Sequence, residues 1–171
     1  MSGNDRGIAH ERFEAWMRDH IAILYRVANA FAWGADRHDL MQELMLAVWK
    51  AAPDFRGEAK ASTFLYRVSH NTAMTWQRTE RNYRRRIDRF AELGGILAAP
   101  GPTDAERDRL ERVYAAIRAL PPLDRSLLLL SLDGLSYQEI VEIHGLTETN
   151  VGARLSRLRS RLARDLKETL S

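Results

Sequence analysis

Asp133–Leu166 reads DGLSYQEIVEIHGLTETNVGARLSRLRSRLARDL, and this stretch decides the fold. Ser136 and Glu139 form a Ser-x-x-Glu capping box, in which each side chain satisfies the other residue's backbone N–H. A helix therefore starts at about Tyr137, with Ile140, Val141 and Ile143 on its apolar side. Gly145 stands where a left-handed C-cap is needed, and Thr147 caps a second helix almost at once. In that helix Val151, Leu155, Leu158, Leu162 and Leu166 form a buried stripe. Thr149, Asn150, Ala153, Ser156, Arg157, Ser160 and Arg161 are left outward, with Gly152 also counted among the outward sites. Two helices joined this tightly make a helix-turn-helix, whose second helix commonly lies in the DNA major groove.

Helical periodicity also governs the rest of the chain, and strand-like alternation is absent. Phe13, Trp16, Met17, Leu24, Val27 and Phe31 recur at helical spacing, and Trp33-Gly34-Ala35 breaks the pattern. Asp36–Ala51 follows as a second helix with Leu40, Leu44, Ala47, Val48 and Ala51 on its core side. Met41, Met45 and Trp49, four apart, add a second apolar stripe, either exposed to a partner or packed within the domain. Pro53 ends that helix, residues 54–60 form a loop, and Ser62 or Thr63 caps a third helix running to about Arg89. Leu65, Val68, Thr72 and Trp76 mark one face of it. Between Glu92 and Thr103 the chain takes on Gly/Pro-rich linker composition. Beyond it, Leu110, Val113, Ile117 and Leu120 define an amphipathic helix closed by Pro121-Pro122, and Asp124 caps a leucine-rich helix, Arg125–Leu132. The expected fold is all-α: two small helical domains, 10–90 and 105–171, joined by a flexible linker at 91–104.

A chain of 171 residues with 45% hydrophobic content suits one large domain or two small ones. Its net charge is only +3, but the arginines are clustered. Arg78, Arg81, Arg84, Arg85, Arg86 and Arg89 form one block; Arg154, Arg157, Arg159, Arg161, Arg164 and Lys167 form another. Such blocks are an electrostatic footprint for nucleic acid. With no cysteine, disulfides, thiolate metal sites and cysteine nucleophiles are excluded, and no cofactor is expected. His70 has no paired histidine in sequence, so it is expected at the surface or against backbone rather than on a metal. The acidic pairs Glu11/Glu14 and Asp36/Asp39 sit at helix spacing and look like solvated faces, so no enzyme is indicated. The N-terminus lacks a signal-peptide core and the longest apolar run, Leu127–Leu130, is too short to span a bilayer. A cytoplasmic protein without membrane insertion is expected.

Three segments, in this order and spacing, carry a family resemblance: DLMQELMLAVW at 39–49, DFRGE at 54–58 with STFLYRVSHNTA at 62–73, and DGLSYQEI at 133–140. Together they resemble the extracytoplasmic-function (ECF) class of bacterial RNA polymerase sigma factors, over roughly 13–86 and 105–167. The resemblance implies a region 2 domain that binds core polymerase and the −10 element, a linker, and a region 4 helix-turn-helix that binds the −35 element. It implies as partners core RNA polymerase, through the β′ clamp and β flap, promoter DNA, and an anti-sigma factor.

Each segment has chemistry of its own. Asp39, Gln42 and Glu43 share a helix face, and with Met45 they offer the polar margin and adaptable apolar surface of a protein interface. The resemblance makes the partner the β′ clamp. Opening a duplex requires a protein that holds a base out of the stack and grips the freed strand, for which aromatics stack, arginines meet phosphates and amides read base edges. Phe55, Arg56, Gly57, Lys60, Arg67 and Asn71 supply those groups. By resemblance, the loop 55–60 takes one flipped −10 base and Asn71 holds the strand open, while Phe64 is expected in the core. On the helix-turn-helix, Thr149, Asn150, Ala153, Arg154, Arg157 and Arg161 face the −35 element. Asn150 and Arg157 are the base-reading candidates, and Arg154 and Arg161 the phosphate-binding ones.

The expected function is an alternative sigma factor that directs core polymerase to promoters and nucleates melting. A sigma-mimicking regulator that binds only an anti-sigma factor would not need Arg56, Asn71 or the arginine blocks. A stand-alone helix-turn-helix regulator would leave the loop-plus-Asn71 arrangement unexplained.

Overall fold

The computed structural model describes the backbone of residues 3–87 and 105–169 and the side chains of residues 7–80 and 109–165. The linker expected at 91–104 lies outside the described residues, as do the side chains of Arg81, Arg84, Arg85, Arg86, Arg89, Leu166 and Lys167. Seven α-helices and one 3-10 turn, with no strand, make up the described residues. They are α1 Gly3–Phe31, α2 Asp36–Ala51, the 3-10 turn Ala52–Asp54, α3 Ala61–Ile87, α4 Ala105–Arg118, α5 Pro122–Leu132, α6 Tyr137–His144 and α7 Glu148–Thr169.

The N-terminal half is a three-helix bundle. Leu24 and Val27 of α1, Leu40, Leu44 and Val48 of α2, and Leu65 and Ala73 of α3 have no exposed surface. Burying each such leucine or valine contributes about 1.5–3 kcal/mol before chain entropy is counted. Gly34, at φ +58°, reverses the chain between α1 and α2. In the C-terminal half Leu127 and Leu130 of α5, Ile140 of α6, and Val151 and Leu155 of α7 are likewise fully buried.

The local signals of the helix-turn-helix act as their chemistry requires. The Glu139 N–H donates to Ser136 Oγ at 3.3 Å, and the Ser136 N–H donates to Glu139 Oε2 at 2.9 Å, completing the box. Gly145 is left-handed at φ 67°, ψ 25°, and the Asn150 N–H donates to Thr147 Oγ1 at 3.3 Å.

Several expectations change. Helix α3 starts at Ala61, with the Lys60 carbonyl accepting from the Phe64 N–H at 3.1 Å. Ser62 and Thr63 thus lie inside the helix, where Thr63 is buried against the bundle instead of capping it. Helix α5 begins at Pro122, because a proline at the first helical position presets φ and loses no hydrogen bond. Asp124 consequently sits in the first turn, and its carboxylate pairs with Arg154 at 2.8 Å. Leu110, expected in the core, is 56% exposed.

The two halves are packed together rather than merely tethered, and one continuous apolar cluster runs through both. Arg26 of α1 pairs with Asp133 after α5 at 2.7 Å and donates to the Tyr66 hydroxyl at 3.3 Å. Arg118 donates to the Asn29 carbonyl at 2.9 Å, and the Arg125 guanidinium lies 5.0 Å from the Phe31 ring centre.

Candidate nucleic-acid interface

The loop after α2 is pinned at its base. Arg12 donates to the carbonyls of Ala52, at 2.6 Å, and Phe55, at 3.2 Å, and its guanidinium lies 5.4 Å from the Phe55 ring centre. The Phe55 ring meets Trp16 at 5.2 Å and Phe64 at 5.1 Å, both near edge-to-face. Phe55 is therefore half-buried, an anchor that shows part of its ring to solvent, and Phe64 belongs to the core, as expected. Gly57, at φ +76°, turns the backbone so that Arg56, Gly57 and Lys60 stand exposed. A cleft of about 500 Å³ opens here, lined by Asp54, Phe55, Arg56, Glu58, Phe64 and Arg67, with Glu142 of α6 across it. That size is in the range of small-ligand pockets. Its aromatic rings and two guanidinium groups suit an unstacked base with its phosphate, while Asp54, Glu58 and Glu142 bring three carboxylates to the same cleft.

Farther along α3, Asn71 is exposed beside Thr72, Thr75, Trp76 and Thr79 in a second cleft of about 490 Å³, bounded on α2 by Glu43. Thr72 and Thr79 return their hydroxyls to the Val68 and Thr75 carbonyls, at 2.8 and 3.2 Å. On α2, Asp39, Gln42 and Glu43 form an exposed polar row. The methionine stripe beside them is largely absorbed by the bundle: Met41 is buried at 9% exposure and Met45 packs against the core. Only Trp49 of that stripe remains open, 42% exposed, with His10 and Phe13 edge-on at 5.4 and 5.3 Å.

His70 is not at the surface. It has no exposed area, and its Nδ1 is hydrogen-bonded to Ser126 Oγ of α5, which also bonds His144 Nε2 of α6 at 2.7 Å. His70 Nε2 has no partner. The arrangement that buries no unpaired N–H is therefore His70 Nδ1–H donating to Ser126, and the Ser126 hydroxyl donating to His144. Burial, with the nearby His144 adding to it, pushes the His70 pKa from 6.5 down to about 3, and burial lowers that of His144 as well. No local pattern signals this pairing, because Ser126 is 56 residues from His70 and 18 from His144.

On α7, Thr149, Asn150, Ala153, Ser156, Arg157, Ser160 and Arg161 all face solvent, as the leucine stripe requires. Arg157 Nε bonds the Ala153 carbonyl at 3.3 Å, and Arg161 lies 3.6 Å from Asp165. Arg154 is more tightly held: Nε donates to Asn150 Oδ1 at 2.9 Å while Nη1 pairs with Asp124. Its charge is compensated within the domain, which reduces what it offers a phosphate. Gly152 is not an open outward site. A Cβ there would stand 3.3 Å from Tyr137 Cε2, so the missing side chain lets the Tyr137 ring lie against α7. Tyr137, 38% exposed, adds an aromatic ring from α6 beside the outward face of α7. Only the Ser-Tyr-Gln-Glu start of α6, which places Tyr137 just after the cap, hinted at it.

The family models for Sigma-70 region 2 and Sigma-70, region 4 match residues 12–83 and 110–162. The ECF RNA polymerase sigma-E factor of Escherichia coli K12 is 30% identical over 143 residues, covering 78% of this chain and 75% of that protein. The ECF RNA polymerase sigma factor SigG of Mycobacterium tuberculosis H37Rv is 27% identical over 182 residues, covering 92% of this chain and 48% of SigG. The chain thus spans about half the length of SigG. Among solved structures, sigma factor RpoE of Bartonella quintana, in complex with the anti-sigma factor NepR, has the same fold. Its TM-score is 0.66 at 21% identity, covering 90% of this chain and 98% of that one. The chain belongs to the ECF class of the sigma-70 family.

Proposed function

From that membership we propose that the protein is an alternative sigma factor, which brings core RNA polymerase to particular promoters and starts their melting. The observation that carries this reading is the order of parts on one chain: an exposed acidic row on α2, a cleft and Asn71 on α3, and an outward basic face on α7. A stand-alone helix-turn-helix regulator needs only the last. Residues 10–90 then form region 2, 91–104 the linker and 105–171 region 4. Asp39, Gln42, Glu43 and Met45 meet the β′ clamp. Phe55, Arg56, Gly57, Lys60, Arg67 and Asn71 take the −10 strand, Phe55 by supporting the cleft. Thr149, Asn150, Ala153, Arg154, Arg157 and Arg161 face the −35 element, with Arg157 and Asn150 reading bases. Region 4 also meets the β flap. The polymerase makes the bonds, and the chain contributes recognition. An anti-sigma factor is the expected inhibitor, as the fold shared with NepR-bound RpoE suggests.

Run-off transcription tests the reading. Purified protein added to core polymerase should give discrete transcripts from genomic fragments selected by the holoenzyme. Asn71→Ala should spare core binding and impair open-complex formation, read by permanganate reactivity of unpaired thymines. Failure of the wild-type chain to bind core overturns the reading.

A further inference from the structure

Residues 56–60, between the 3-10 turn and α3, are all exposed, and half-buried Phe55 is what ties this loop to the bundle. The loop's own backbone contributes little. Among the described residues the Phe55 N–H donates to the Ala52 carbonyl at a long 3.4 Å, and the Lys60 carbonyl accepts from Phe64 where α3 begins. With Gly57 at φ +76° in its middle, such a segment has several shapes open to it. Arg12 of α1, 40 and 43 residues away in sequence, restricts them. Its Nη1 donates to both the Ala52 and the Phe55 carbonyls, and its guanidinium faces the Phe55 ring. Bonds of this charge-assisted kind are about twice as strong as neutral ones. No carboxylate pairs with Arg12 among the described residues, so its charge is directed at the loop. Trp16 and Phe64 hold the Phe55 ring edge-on, and the Arg67 guanidinium lies 5.5 Å from the centre of the Phe64 ring. Phe55, Phe64 and Arg67 line the cleft, whereas Arg12 does not. It can therefore act on a bound base only through Phe55 and the loop.

We propose that Arg12 is a positioning residue for base selection: from outside the cleft it fixes the Phe55 carbonyl and ring, and so the one loop shape against which a flipped −10 base is accepted or refused. This rests on the assignment of the loop 55–60 to a flipped base. Discrimination between bases needs partners held in place, and a loop spread over several shapes offers each base one that fits. Loss of Arg12 therefore relaxes the choice of base more than it weakens DNA binding as a whole, which phosphate contacts mostly supply. The effect is confined to one position of the −10 element, because one loop takes one base.

Holoenzyme assembled from the full chain and core polymerase is given a promoter that the wild type uses. Each position of its −10 and −35 elements is varied in turn, and run-off transcripts are counted. A good base contact discriminates about tenfold or more, and Arg12→Ala should reduce that preference to about twofold at one −10 position. Core binding and the −35 preferences should not change. Arg12→Lys, which keeps a cation able to donate to the carbonyls, should restore most of the preference. Phe55→Leu should flatten the same position, and Arg12→Ala/Phe55→Leu no further, as two residues acting through one contact require. Hydrogen exchange of the free chain gives a second readout: Arg12→Ala should speed exchange over residues 52–60 while residues 40–48 of α2 stay protected. If Arg12→Ala does not fold, Arg12→Gln, which keeps a donor without the charge, should flatten the position in part. Equal loss of transcripts from every promoter variant, with preferences intact, overturns the proposal, as does exchange raised throughout the bundle. Phe55→Leu and Arg56→Ala, each alone, distinguish a failed positioning role from a failed loop assignment. If both leave every −10 preference intact, the loop assignment fails. If they flatten one position while a folded Arg12 variant does not, the assignment stands and the positioning role fails.

Discussion

Acidification should weaken the seam between the halves, and His70 sets the size of the effect. Its imidazole is fully buried on α3, facing Phe31 of α1, Tyr66 of its own helix, Ser126 of α5 and His144 of α6. The Arg26–Asp133 pair lies beside Tyr66, and Arg125 lies on Phe31. Burial pushes Tyr66 up to about 12, so it stays neutral in the range of interest. For Arg26, burial opposes the charge, but Tyr66 and Asp133 more than offset it and keep the guanidinium protonated. His70 falls from 6.5 to about 3 on burial, so the opened or unfolded chain takes up the proton first. Stability is full above about 6.5 and declines with falling pH until about 3. From about pH 7.5 to about pH 5 the loss is about 2 kcal/mol, or about thirtyfold in the equilibrium. His144, shifted in the same direction, adds to it. Urea unfolding, followed across this interval, measures the effect. His70→Gln/His144→Gln, whose amides can still bond Ser126, should abolish most of it. Equal pH dependence in wild type and double variant, or a flat wild-type curve, would refute the reasoning.

Two further perturbations probe the parts separately. Glu43→Lys reverses charge in the exposed row on α2. It should weaken core binding several-fold in a competition assay while leaving the melting temperature within about a degree, as surface substitutions usually do. Ser136→Ala removes one half of the capping box and the acceptor for the Glu139 N–H. It should cost about 1 kcal/mol in urea unfolding and lower affinity for −35 duplex DNA through fraying of α6.

What the sequence makes legible is chemistry that closes within one turn or one helix. Ser136/Glu139, Gly145 and Thr147 each satisfy a backbone group a few residues away, so spelling alone identifies them. The bounds of α2 follow from Gly34 and Pro53 in the same way. His70, Met41, Asp124 and Gly152 fail to declare themselves because partners distant in sequence decide their surroundings. A polar residue such as His70 is ordinarily exposed, and only Ser126 and His144, delivered from the other half, make its burial tolerable. Met41 has the spacing of an open stripe, but the core cluster takes it up. Asp124 has the character of a cap, yet Pro122 starts the helix earlier and frees the carboxylate for Arg154. Gly152 reads as an empty site on the recognition face until Tyr137 is placed beside it.

The packing of the halves also bears on how the proposed promoter contacts could be made together. A compact body of this size has a radius of gyration of about 15 Å and a mean width of about 40 Å, and the longest described helix, α1 with its 29 residues, runs about 43 Å. Elements centred near −35 and −10 lie about 25 base pairs apart, or about 85 Å along B-form DNA at 3.4 Å per step. The closed chain cannot reach both. Separation of region 4 from region 2 is therefore a geometric requirement of the proposed function, whatever drives it. The energetic consequence is that core polymerase or DNA must supply the free energy that the Arg26–Asp133 pair, the Ser126 hydrogen bonds and the shared apolar cluster otherwise hold. A ligand that binds open and closed forms equally shifts nothing, so promoter binding has to be coupled to surfaces that only the open chain presents. The α3 cleft, with Glu142 withdrawn and Lys60 released from Glu139, is such a surface. The face of α7 is not, since it is exposed in the closed chain already. On the proposed function, occupation of the α3 cleft, more than contact through α7, would hold the opened form.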